Sequence, residues 1–266
     1  MIDGNVATRS FKVGNVTVEI YPDVASMGQA AARAAAEAFK EIERQHETIN
    51  VIFATGASQI STLDALTKMK DIPWNKVCGF HMDEYVGLPI QHPASFRGYL
   101  RKRLTEKVPL KEFHEVDGTA SEPGDFCRKY AAKLCASDPQ ICFLGIGENG
   151  HLAFNDPGVA DFNDPVDVKI IPLDRVCREQ QVAEGWFANV AEVPEQAITI
   201  TIPALMRVPR LIVSVPGNRK AGIVRRSLVE ALSTDCPATI LRTHSDATIY
   251  LDSASAAELY DILPNS

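Results

Sequence analysis

Asn149, His151 and Asp156 put an amide, an imidazole and a carboxylate into one short stretch, Gly147-Glu-Asn-Gly-His-Leu-Ala-Phe-Asn-Asp-Pro157. An imidazole titrates near neutrality, so a neighbouring carboxylate and amide that orient it point to proton transfer. A second acidic pair, Asp83 and Glu84, stands in His81-Met-Asp-Glu-Tyr-Val-Gly87 directly after an apolar run. A carboxylate in that position is partly desolvated, which raises its pKa toward that of a useful base. Thr55-Gly56-Ala57-Ser58 is a small-residue turn entering a helix. Its exposed backbone N–H groups, with about half a unit of positive charge from the helix dipole, form an anion cradle. Pro216-Gly-Asn-Arg-Lys-Ala221 brings Lys220 to another strand-to-helix turn, where an ammonium can hold a phosphate as a point charge. The Thr55 turn is not a P-loop, because no Gly-Lys-Ser/Thr follows it. Taken singly, these features also read as a solvated histidine, an acidic surface turn, a serine N-cap and a solvated cation; what matters is that each leaves the end of a strand.

The elements that must position them follow from hydrophobic period and turn residues. Val16 to Tyr21 alternates like a strand, and Asp23 can cap an Ala-rich helix from Val24 to about Gln45. Ile49 to Ala54 is a buried strand feeding the Thr55 turn, and Ile60, Leu63 and Leu66 mark the helix beyond it. Val77 to Met82 is a strand ending at Asp83-Glu84-Tyr85, which reads as a loop, and after Leu88 to Pro93 a helix runs to about Lys107. Glu122 to Ser137 is helical, and Ile141 to Ile146 is the strand that delivers His151. Further strands are expected at Val168 to Ile171, Ala197 to Ile202, Leu211 to Val215, Thr239 to Leu241 and Ala247 to Leu251, with helices from Arg175 to about Phe187 and from Lys220 to Leu232. Strands alternating with helices require a doubly wound α/β fold: one mostly parallel, modified Rossmann-like sheet covered by helices on both faces. The expectation is a single domain over residues 1–266, without internal repeats or low-complexity linkers. In such sheets ligands bind beyond the carboxyl ends of the strands, which is where these loops lie.

Composition narrows the classes of function. A formal charge of −7 and the lack of any Lys/Arg run argue against nucleic acid or an anionic membrane as partner. Six cysteines without CxxC pairs or framework spacing suit reduced thiols in a cytoplasmic protein, most of them small core residues, rather than disulfides or zinc. Met1 to Val13 is polar and mixed, with no basic segment leading into an apolar h-region, and no apolar run is long enough to cross a membrane. The sequence is compatible with a monomer or a homo-oligomer.

These motifs together resemble the glucosamine-6-phosphate deaminase/isomerase family of the 6-phosphogluconolactonase-like superfamily. The resemblance covers nearly the whole chain and is most specific at His81 to Leu88, followed by His92-Pro-Ala-Ser95, and at Gly147 to Pro157. It implies an enzyme of amino-sugar catabolism that converts glucosamine 6-phosphate into fructose 6-phosphate and ammonia without metal or organic cofactor. His151 would open the pyranose ring with help from Asn149 and Asp156, and Asp83 would abstract the C2 proton. Thr55, Gly56, Ala57, Ser58 and Lys220 would hold the phosphate, with Glu84 and Tyr85 also at the substrate. The chain departs from the pattern in three places. Asn149 stands where several members carry Asp, Asp156 where Glu is common, and Gln181 where some members place a phosphate-binding Arg. Arg178, one helical turn from Gln181, is the candidate substitute. The arrangement that forms an allosteric site in regulated hexameric members is not recognisable between Pro157 and Lys169.

Three alternatives share this fold. A 6-phosphogluconolactonase would need the phosphate site and the histidine loop but no C2 base, whereas Asp83-Glu84-Tyr85-Val86 is of the deaminase type. Another hexose phosphate could replace glucosamine 6-phosphate, given Asn149 and Gln181. A sugar-phosphate-sensing module would bind without turnover, yet the acid/base candidates are all in place and the segment before residue 16 is too short for a helix-turn-helix.

Overall fold

The computed structural model describes residues 7–173, 175–183 and 185–260. In chain order these form β1 (Arg9–Val13), β2 (Val16–Tyr21), α1 (Val24–Glu43), β3 (Ile49–Phe53), α2 (Ile60–Leu66), β4 (Val77–His81), β5 (Asp83–Tyr85), α3 (Phe96–Leu100), β6 (Glu112–His114), α4 (Pro123–Ser137), β7 (Ile141–Leu144), β8 (Val168–Pro172), α5 (Arg175–Ala183), β9 (Gln196–Ile200), α6 (Ile202–Met206), β10 (Arg210–Val215), α7 (Ala221–Val229) and β11 (Ala247–Asp252). Eight strands make one sheet in the order β1-β2-β11-β10-β7-β3-β4-β6. Every pairing in it is parallel except the β1–β2 hairpin.

Side-chain alternation divides the core between the two faces of this sheet, because successive Cβ atoms point to opposite sides. Ile141 and Phe143 of β7 join Met27 and Phe39 of α1 and Leu63 and Leu66 of α2. Cys142 and Leu144 pack on the other side with Tyr130 and Leu134 of α4 and Ile223 and Leu228 of α7. A strand buried on both faces must be apolar throughout, which is why β7 has no polar residue before its loop. Asp23 caps α1 as expected, its Oδ1 accepting from the Ser26 N–H at 2.8 Å. Gly28 lets α1 approach α2 closely, since a Cβ there would lie 2.5 Å from the Ser61 Cβ. That approach fixes the helix that follows the Thr55 turn.

The α/β expectation holds for the main sheet, and several local expectations need correction. Val168–Pro172 and Gln196–Ile200 do not join that sheet; with Asp83–Tyr85, expected as a loop, they form a second, antiparallel sheet in the order β5-β9-β8. The chain passes from one sheet to the other within a single residue, Met82. Thr239 to Leu241, expected as a strand, lies in a 3₁₀ segment, Pro237–Thr243, whose proline cannot serve a central strand. The helix expected to reach Lys107 is α3 followed by a π-helical segment, Arg101–Thr105. The helix expected from Lys220 begins as a 3₁₀ turn, Asn218–Lys220, and α7 ends at Val229. The helix expected to reach about Phe187 is α5, which ends at Ala183; residue 184 lies outside the described ones, and residues 185–187 are turn and bend. The edge strands β1 and β6 and the short helix α6 had no clear periodic signal.

Candidate active site

Four adjacent strands of the main sheet, β10, β7, β3 and β4, deliver the four candidate segments to one rim. From β3 the chain goes on to β4 on one side, whereas β10 lies on the other side of β7. The crevice between β3 and β7 is therefore the switch point at which an open α/β sheet binds its ligand.

Beyond β7, the His151 Nδ1 lies 2.8 Å from Asn149 Oδ1 and 3.0 Å from Asp156 Oδ1. Asn149 Nδ2 donates to the same Asp156 oxygen at 2.7 Å, and the His151 backbone N–H donates to Asn149 Oδ1 at 3.1 Å. That backbone donor settles which end of the amide is oxygen. Nδ1 thus faces two acceptors and carries the proton, leaving Nε2 to exchange protons with a ligand. The imidazole is about a third exposed, while Asp156 is buried. Burial alone would raise the Asp156 pKa, but hydrogen bonding and charge from His151, with Asn149 and the Cys177 thiol, hold it below the usual carboxylate value. Gly147 is required beside the ring, because a Cβ there would lie 2.1 Å from His151 Cε1.

Beyond β4, Asp83 is 6% exposed, and its Oδ1 is buried without a hydrogen-bond partner among the described residues. Desolvation, then the charges of Glu84 and Asp156, push its pKa well above the ordinary value. A carboxylate without donors to stabilise its charge is a stronger base once ionised. Thr55-Gly56-Ala57-Ser58 opens on Gly56 at φ +87° and winds into the 3₁₀ turn Ala57–Gln59 that leads to α2. Gln59, itself buried, anchors this turn to β7 by donating to the Leu144 carbonyl at 2.9 Å and to Ser58 Oγ at 3.1 Å. Lys220, half-buried, ends the turn that starts α7, and the Gly217 N–H of that turn is held by Asp252 Oδ1 at 2.8 Å.

Three residues expected at the substrate are turned elsewhere. Glu84 is fully buried and accepts from the N–H groups of Tyr85, Phe96 and Arg97 and from Ser95 Oγ. Its alternation relative to Asp83 sends it to the start of α3, where free N–H groups need an acceptor. Tyr85 is buried against Phe96, Phe154 and Phe187, and its hydroxyl donates to Gln181 Oε1 at 2.9 Å. Arg178 donates to the carbonyls of Val190 and Val193 at 2.8 and 2.9 Å, so it closes a turn rather than replacing a phosphate ligand.

Other residues that shape the site gave little signal in the sequence. Asn155 Nδ2 donates to the carbonyls of Leu152 and Ile200, and the Phe154 N–H donates to Thr199 Oγ1, tying the histidine loop to β9. Thr199 is the register partner of Asp83, so this tie also sets the distance between the two carboxylate loops. Arg219 and Glu148 form a two-point ion pair at 2.9 and 3.1 Å between the loops after β10 and β7. The helical period showed Cys177 but not its 3.8 Å contact with Asp156 Oδ2.

Residues 22–250 match the model of the family of glucosamine-6-phosphate isomerases and 6-phosphogluconolactonases. A glucosamine-6-phosphate deaminase of Exiguobacterium sibiricum is 32% identical over 222 residues, 84% of this chain and 86% of that protein. One from Bacillus thuringiensis is 31% identical over 83% of this chain and 82% of its own. Among solved structures, a monomeric glucosamine-6-phosphate deaminase superposes with a TM-score of 0.82 at 27% identity, over 91% of this chain and 99% of that one. The 6-phosphogluconolactonase of Trypanosoma brucei shares the fold, with a TM-score of 0.76 at 16% identity over 94% of this chain and 100% of its own.

Proposed function

The chain belongs to the family of glucosamine-6-phosphate isomerases and 6-phosphogluconolactonases, and from that membership and the rim just described we propose that it is a glucosamine-6-phosphate deaminase. It converts glucosamine 6-phosphate and water into fructose 6-phosphate and ammonia. The observation that carries this reading over a lactonase is Asp83, a buried carboxylate with raised proton affinity beside a separate histidine centre. Ester hydrolysis has no use for a second base, whereas aldose–ketose isomerisation needs one at C2.

In the proposed sequence, His151 Nε2 takes the proton of the anomeric hydroxyl and returns it to the ring oxygen, opening the pyranose. Nδ1–H stays between Asn149 and Asp156, which keeps the ring oriented and stabilises the transient imidazolium. Asp83 removes the C2 proton to give the enolamine and delivers a proton to C1. The resulting C2 imine adds water, and ammonia leaves the carbinolamine. The backbone N–H groups of Thr55 to Ser58 and the Lys220 ammonium hold the phosphate. Each step moves a proton or water, so no redox or electron-sink cofactor enters it.

The test is ammonia release from glucosamine 6-phosphate, with fructose 6-phosphate measured in parallel and glucosamine, mannosamine 6-phosphate and 6-phosphogluconolactone as comparisons. Folded protein that opens the lactone but releases no ammonia at millimolar amino-sugar phosphate would reverse the assignment. The proposed setting is the cytoplasm; no helix among the described residues is long and apolar enough to cross a membrane.

A further inference from the structure

A second site of opposite charge to the whole chain lies beside the phosphate turn. A cavity of about 350 Å³ is lined by Ile90, His92, Tyr99, Lys102, Arg103 and Lys107, among others. Against a chain charge of −7, this cavity gathers three permanent cations, two of which, Arg103 and Lys107, reach the Asp64 carboxylate. Lys107 holds Asp64 at 2.9 Å, while Arg103 reaches it only at 3.4 Å, a loose contact from which a guanidinium is readily drawn. His92 adds a neutral donor, since its Nδ1 accepts from the Ala94 N–H at 3.1 Å and the ring proton must then sit on Nε2.

The backbone that carries these cations is itself unusual. Lys102 and Arg103 lie in the π-helical segment Arg101–Thr105, whose wider turn changes the direction of side chains relative to an α-helix. Such turns recur at functional sites. Tyr99, one turn earlier, has the Arg103 guanidinium over its ring at 5.3 Å and donates its hydroxyl to the Gly56 carbonyl at 2.9 Å. One tyrosine therefore touches the cationic cavity on one side and the Thr55–Ser58 turn on the other.

We infer that this cavity is a second anion site, taking a small phosphorylated molecule with two or more negative charges, and that Tyr99 reports its occupancy to the Thr55–Ser58 turn. The volume is in the small-ligand range of roughly 300–1,000 Å³, which favours a metabolite over a polymer. An anion that draws Arg103 from the Tyr99 ring alters the hydrogen bond to Gly56, and so the turn assigned above to the substrate phosphate. Binding at the cavity is independent of the deaminase reading; the effect on substrate rests on it.

Pyrophosphate is the probe, titrated calorimetrically into the full chain at low ionic strength, where screening is weak. Wild-type protein should bind pyrophosphate, and added salt should weaken that binding. Lys102→Glu, at an exposed position, should weaken that binding at least tenfold, and Arg103→Ala should weaken it by a smaller factor. Tyr99→Phe should bind pyrophosphate within twofold of wild type yet lose the pyrophosphate-dependent shift in KM for the amino-sugar phosphate. Equal affinities in wild type and Lys102→Glu would overturn the site. An unaltered KM shift in Tyr99→Phe would overturn the coupling. Because calorimetry needs no turnover, a negative ammonia assay would leave the binding result interpretable.

Discussion

The loop after β7 and the strand after β4 each carry a buried carboxylate to the same rim, and their surroundings drive the two in opposite directions. Asp156 is surrounded by donors: imidazole, amide and thiol hold its proton affinity below the ordinary value. Asp83 has burial and two neighbouring negative charges, and its Oδ1 has no donor among the described residues, so its affinity is raised. Identical chemical groups thus gain opposite proton affinities, which suits the fixed anion and the base proposed above. The difference comes from their partners, since both residues are buried to a similar degree. Separation of carboxylate affinities by environment is the usual way one site runs acid and base steps together.

The sharpest way to break the contrast is Asp83→Asn. We predict a loss of kcat by about 10²- to 10⁴-fold together with loss of C2 proton exchange in deuterated water. The same substitution should stabilise the fold. A raised carboxylate pKa means that the folded state keeps a proton the unfolded chain gives up, so ionising Asp83 opposes folding as pH rises from the unfolded value to the folded one. Melting at pH 7 should therefore rise by about 2 to 4 °C per kcal/mol relieved. A variant with undiminished exchange would remove Asp83 from the base role.

Asp156→Asn tests the other half, and its sign is reversed. We predict a kcat loss of about 10- to 10³-fold, smaller on substrate supplied in the open-chain form. Because the Asp156 pKa is lowered, its contribution to stability is present above the unfolded value and is lost as pH falls through the folded one. Wild type and variant should thus differ in melting temperature at pH 6 and converge toward acid. A constant difference across that range would show that the His151 pairing is not what Asp156 contributes.

Two smaller effects sharpen the comparison by marking which neighbours stand outside it. Glu84→Gln should cost about 1 to 3 kcal/mol in urea unfolding, because donors at the start of α3 lose an acceptor, with kcat/KM changed less than threefold. Arg178→Ala should cost about 1 kcal/mol and leave KM within twofold. A tenfold rise in KM for Arg178→Ala would return that residue to the phosphate site.

The parts legible in the sequence are those whose physics is local. A parallel strand buried on both faces must be an apolar run, and it ends where glycines begin, so β3 and β7 and the turns after them were readable. The second sheet was not, because Asp83-Glu84-Tyr85 has neither the length nor the apolar pattern of a strand; its pairing with β9 is set by contacts more than a hundred residues away in sequence. Hence Asp83 could be singled out, while Glu84 and Tyr85 could not be separated from it. The partners of Arg178 are hidden for a related reason: helical period puts it on a face, and only the turn at Val190 and Val193 shows what that face meets.

Met82 is the one residue between β4 of the large sheet and β5 of the small one, and Asn155 and Thr199 stitch the same border from the other side. Any molecule that touches both His151 and Asp83 spans this seam, so it binds the assembled pair of sheets and not either one alone. By mass action such a ligand should raise the midpoint of heat unfolding by an amount that grows with its concentration. It should also slow hydrogen–deuterium exchange of the β5 and β9 amides more than that of the central β7, whose amides, as in core strands generally, are expected to exchange through global unfolding. The seam thereby makes the small sheet's local stability a reporter of substrate.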